Sequence, residues 1–77
     1  MGGQKIRDGA VMTRFGDRLR TVRKEKGLSQ KELAVKAGLS TSQIARMETG
    51  KLNTTISTLV TVSNALNIEL SGFFTGF

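Results

Sequence analysis

Apolar residues recur at three- and four-residue spacing along most of this chain, the period of helices buried on one side. Phe15, Leu19 and Val22 line one face of a segment from about Arg14 to Lys26, which Gly27 stops. Leu33, Ala34 and Ala37 do the same for Gln30 to Ala37. Ile44 and Met47 do so for Thr41 to Glu48, with Gly50 beyond the end. A fourth stripe, Ile56, Leu59, Val62 and Leu66, predicts a helix from Ile56 to Leu66 capped by Thr54 or Thr55. Asn67 suits the left-handed position after it. A last turn, about Glu69 to Phe74, supplies Leu70, Phe73 and Phe74. Residues 1–13 contain Gly2, Gly3 and Gly9 and show no period, so they read as a flexible N-terminal arm. No strand-like alternation of useful length and no internal repeat is present. The pattern predicts an all-α domain over residues 14–77.

Two helix-start signals stand eleven residues apart, Ser29 with Glu32 and Ser40 with Gln43. Each reads as a capping box, in which the serine oxygen takes an orphan N–H and the third side chain reaches back to the cap. Gly38 between them can end the first helix in a left-handed conformation. Two short helices joined by a glycine turn make a helix-turn-helix, whose second helix fits the major groove of DNA.

Length and charge narrow the class. With 77 residues one domain is expected, with a thin core that association would help stabilise. Cysteine and histidine are both absent, which excludes disulfides and the usual zinc sites; no cofactor is expected. No apolar run approaches a membrane span and no signal-peptide core is visible, so a cytoplasmic protein is expected. The net charge of +6 is uneven: residues 1–27 carry eight Lys/Arg against three acids, and residues 52–77 carry only Glu69. A basic patch is the footprint of a phosphate binder or, equally, a solvated face. With no His, Cys or Tyr, no paired carboxylates and no phosphate-cradling glycine loop, no enzyme is expected.

An ordered set of residues then carries a family resemblance: Phe15-Gly16, Leu19-Arg20, Arg23, Lys26 to Gln30, Leu33-Ala34, Ala37 to Ser40, Ile44, Met47-Glu48, Gly50-Lys51, Leu59 and Ala65-Leu66. The chain resembles the DNA-binding domain of the Cro/repressor, or XRE-type helix-turn-helix, family over residues 14–74. The resemblance implies a five-helix, lambda-repressor-like domain that dimerises on palindromic operators. One departure is visible, Thr54 where many members have proline.

By this resemblance Thr41, Ser42 and Arg46 read bases, with Gln43 a weaker candidate because its capping box engages it. Arg46 can grip guanine O6 and N7 with its donor fork, and Thr41 and Ser42 can reach base edges or phosphate. Gln30 opens the second helix, where a backbone N–H at the positive dipole end suits a phosphate. Its side chain is implied to brace the first residues of the recognition helix. Lys51, the amides near Thr49 and Asn53, and Arg14 and Arg18 complete the phosphate candidates. Arg23 and Glu48 are implied to form a partly buried structural ion pair rather than a catalytic site. Leu70, Phe73, Phe74 and Phe77 exceed what a small core needs, so the excess is expected to form a dimer interface. The expected partners are duplex DNA and a second copy. The rival from another class is a protein-interaction module such as an antitoxin; within DNA binding, a phage-type repressor competes with the controller protein of a restriction–modification system.

Overall fold

The computed structural model describes residues 9–51 and 54–73. Four α-helices follow one another: α1 (Gly9–Glu25), α2 (Gln30–Ala37), α3 (Thr41–Glu48) and α4 (Ile56–Ala65), and a 3-10 turn closes the described chain at Leu70–Phe73. Among the described residues there are thus four α-helices and one 3-10 turn, not five helices. The last element has only four residues, lies just past Asn67 in the left-handed conformation and contains Gly72, so it closes with a three-residue bond from Gly72 N to Glu69 O, 2.9 Å.

Helix α1 starts five residues before the expected Arg14. Met12 is buried and extends the stripe of Phe15, Leu19 and Val22 by one turn. Residues 9–13 are therefore helix rather than arm, because Met12 gains core contact that outweighs the weak helix propensity of Gly9. The rest of the arm lies outside the described residues.

One core joins all five elements: Met12, Phe15, Leu19 and Val22 meet Leu33 and Ala34, Ile44 and Met47, Leu59, Val62 and Leu66, and Phe73. Helix α3 packs on α1 and α2, while α4 packs on α2 and the 3-10 turn. Where α1 crosses the end of α3, Gly16 lets the backbones touch. A Cβ there would lie 2.5 Å from the Met47 carbonyl oxygen and 2.7 Å from that of Glu48.

Two expectations about apolar residues are corrected. Ile56 is not in the buried stripe of α4 but 58% exposed. At about 100° per residue the buried arc of α4 centres between Leu59, Val62, Ser63 and Leu66, and Ile56 falls well off that centre. Ser63 takes the place instead, its hydroxyl donating to Val60 O at 2.9 Å. Phe73 is not an interface residue: it is fully buried, its ring tilted against Phe15 with centroids 5.1 Å apart. The 3-10 turn packs on both α1 and α4, and Phe73 fills the core between them. Leu70 is partly buried against the same core, and Phe74 and Phe77 lie outside the described residues.

Candidate nucleic-acid interface

Both capping boxes form. Ser29 Oγ accepts from Glu32 N at 3.0 Å and Glu32 Oε1 accepts from Ser29 N at 2.7 Å. Ser40 Oγ accepts from Gln43 N at 3.0 Å and Gln43 Oε1 from Ser40 N at 2.8 Å. The Ser29 backbone and then the Ser29 hydroxyl hold the Glu32 carboxyl below its ordinary value. Gly38 sits at φ 69°, and its N–H and that of Leu39 return to carbonyls of α2. These local bonds set the start of α3 relative to α2.

The far end of α3 is fixed by charge. Arg23 Nε of α1 donates to Glu48 Oε2, and Arg23 Nη2 donates to Glu48 Oε1 at 3.1 Å, with both residues buried. Arg23 Nη1 donates to Leu28 O at 2.7 Å, in the link between α1 and α2. Gln30 Nε2 also donates to Glu48 Oε1, at 3.1 Å. The Gln30 side chain therefore braces the end of α3 and not its first residues. Gln43, the third residue of α3, is engaged in its own capping box at the other end of that helix. One carboxylate thus gathers α1, α2 and α3.

With Ile44, Met47 and Glu48 buried, α3 turns its opposite face outward. Thr41, Ser42, Gln43 and Arg46 are all exposed, and Ser42 and Arg46 stand one above the other across from the buried face. Hydroxyls and a guanidinium on a convex, fixed helix can donate to base edges and phosphates but assemble no acid–base pair. Gln43 keeps its carboxamide oxygen on the cap.

The surrounding candidates divide. Arg14 and Lys51 are exposed, and Lys51 directly follows the turn at Gly50. The Thr49 amide is not available to a ligand, because it is spent on Ala45 O and Arg46 O; Asn53 lies outside the described residues. Arg18 is exposed, but its Nε donates to Gly72 O at 3.1 Å and so ties α1 to the C-terminal turn. Sequence reasoning missed this contact, since it joins residues 54 positions apart with no motif between them.

Thr54, where the resemblance led to an expectation of proline, is buried, and its Oγ1 has no hydrogen-bond partner. Thr55, not Thr54, caps α4, accepting from Thr58 N at 3.2 Å. Among the described residues no helix is long and apolar enough to cross a membrane.

Comparison with known proteins agrees with this geometry. The Helix-turn-helix family matches residues 19–73. The immunity repressor protein of Bacillus phage phi105 is 45% identical over 56 residues, 73% of this chain and 39% of that protein; the chain spans well under half of this relative. The crystal structure of the restriction–modification controller protein C.AhdI from Aeromonas hydrophila superposes with a TM-score of 0.83 at 38% identity, covering 84% of this chain and 98% of that one. SinR, a master regulator of biofilm formation solved in complex with DNA, gives a TM-score of 0.73 at 36% identity, covering 78% of this chain and 97% of that one.

Proposed function

The chain belongs to the Helix-turn-helix family, and from that premise we propose that it is a sequence-specific DNA-binding regulator of transcription. It binds a palindromic operator as a homodimer, with α3 of each copy in the major groove. The observation that carries the reading is the exposed row of Thr41, Ser42 and Arg46 on a helix whose two ends are both fixed. Arg46 reads a guanine, and Thr41, Ser42 and, more weakly, Gln43 meet neighbouring base edges or phosphates. The Gln30 backbone N–H, Lys51, Arg14 and the donors of Arg18 left over from Gly72 hold phosphates. Arg23 and Glu48 orient α3 and take no part in chemistry. The reading assigns no catalysis and no cofactor, and it places the protein in the cytoplasm with its DNA.

A second, narrower reading is favoured by the comparison with C.AhdI. That controller is matched over nearly its whole length, so the elements described here make up almost all of it. On this reading the chain is itself a controller of a restriction–modification system.

Selection of bound sites from random duplexes tests the proposal. It is expected to return a two-fold-symmetric sequence whose half-sites lie about 34 Å apart, one turn of DNA. Arg46→Ala should weaken binding to that site by about 1–3 kcal/mol and relax one base pair per half-site. Its melting curve should match the parent's. A selection that enriches no sequence would overturn the proposal and favour a module that binds only protein.

A further inference from the structure

We infer that Arg20 is a further DNA-positioning residue, its guanidinium taking one backbone phosphate beside the end of α3. This rests on the DNA-binding reading and adds to it a contact from the middle of α1.

Arg20 stands two residues from Arg18, and at about 100° per residue the two leave α1 on opposite sides. Arg18 faces the 3-10 turn, where its Nε donates to Gly72 O at 3.1 Å. The other side of α1 meets α3. Thr13, Gly16, Arg20 and Arg23 recur at three- and four-residue spacing and form one row. Three of the four lie against the end of the motif. A Cβ on Gly16 would lie 2.5 Å from Met47 O, and a Cβ on Gly50 would lie 3.0 Å from Thr13 Cα. Arg23 Nη2 donates to Glu48 Oε1 at 3.1 Å. Arg20 lies between Gly16 and Arg23 in the row, so the fold sets it beside the same end of α3.

Gly16 and Arg23 are buried there, but Arg20 is exposed and makes no hydrogen bond or ion pair among the described residues. The acid at that end, Glu48, is already held by Arg23 and Gln30. The outward row of α3, Ser42, Arg46 and Thr49, runs down to this end, and exposed Lys51 follows. A helix seated in the major groove has a sugar–phosphate strand on either side, and the strand past the end of α3 meets Arg20 and Lys51. A guanidinium offers a phosphate two parallel N–H bonds, where an ammonium is only a point charge. Because Gly16 and Arg23 fix this stretch of α1 to α3, the contact sets how α3 sits in the groove and reads no base.

Arg20→Ala, Arg20→Lys and Arg18→Ala are to be compared with the parent on the selected duplex and on a random one. Arg20→Ala should weaken both alike and flatten the slope of log K against log salt by about 0.9 per bound copy. Arg20→Lys should restore most of that slope. The discriminating readout is a series of selected duplexes, each with one phosphate replaced by a neutral methylphosphonate. One such replacement per half-site should weaken the parent and Arg18→Ala but leave Arg20→Ala unaffected. Melting temperatures of the Arg20 variants should match the parent's. A parental salt slope in Arg20→Ala, or replacements that weaken it as much as the parent at every position, would overturn the inference and leave the regulator reading in place. A lower melting temperature with an unchanged phosphate series would also overturn it, and would make Arg20 a charge partner of the α3 helix end only. If the parent prefers no sequence while Arg20→Ala still loses its slope, the phosphate contact stands and the regulator reading fails. A parent that binds no duplex overturns both.

Discussion

At the residue scale, the consequential side chains are polar groups that the fold buries. Thr54 Oγ1 is buried without a partner, and a desolvated, unpaired hydroxyl is unfavourable. Thr54→Val removes it at nearly constant shape, so we expect a gain of about 1 kcal/mol, read as a Tm higher by about 4–8 °C for a domain of this size. The Arg23–Glu48 pair should behave in the opposite way. Glu48→Ala leaves the Arg23 guanidinium buried without its carboxylate and should cost about 3–5 kcal/mol in urea melts. Arg23→Met combined with Glu48→Leu should recover much of that loss, since an apolar pair needs no desolvation of charge. If the double variant is as unstable as the single one, the pair contributes attraction beyond its burial cost.

At the element scale, the two motif helices are held by different physics at their two ends. The capping box of α2 titrates. Hydrogen bonds from Ser29 hold the Glu32 carboxyl below its ordinary value of 4.5, so its contribution is complete above that pH and is lost as pH falls through the lower folded value. The Tm difference between the parent and Glu32→Gln should therefore stay constant near neutrality and shrink on acidification. The contact between α1 and α3 is steric. Gly16→Ala would drive a methyl into the Met47 and Glu48 carbonyls, an overpacking that costs about 1–3 kcal/mol. The selected duplex should also be bound more weakly at temperatures where the variant is still folded. These elements differ in how legible they were. The caps could be read because Ser29, Glu32, Ser40 and Gln43 act within three residues of each other. The inner stripes of α1 and α2 followed from spacing alone. Ile56 could not be placed, because helical period finds the centre of a buried face but not its edge. Met12 was hidden by neighbouring glycines, and the Gln30 side chain by its reach across 18 positions to Glu48.

At the scale of the whole molecule, the charge distribution and the reading face should act together. Each phosphate contact that replaces a counterion should contribute about −0.9 to the slope of log K against log salt. Arg14→Ala and Lys51→Ala should each flatten that slope and weaken selected and random duplexes alike, in contrast to Arg46→Ala. Affinity that ignores salt would show that the basic balance only keeps the chain in solution. Composition alone points to a phosphate-bearing partner or, equally, to a solvated face, without any knowledge of the fold. Of the aromatics expected at an interface, Phe73 is large enough to be needed inside the core.

The carboxylate of Glu48, held by Arg23 and Gln30, ties the end of α3 to α1 and α2. If α3 reads DNA as proposed, a helix anchored in this way resists tilting, and the double helix would do more of the conforming. Base steps that kink or narrow readily will then be preferred even where no side chain touches them, because bending a binding site costs about 1–6 kcal/mol depending on its sequence. Part of the operator's identity would thus be encoded in the stiffness of its untouched base pairs.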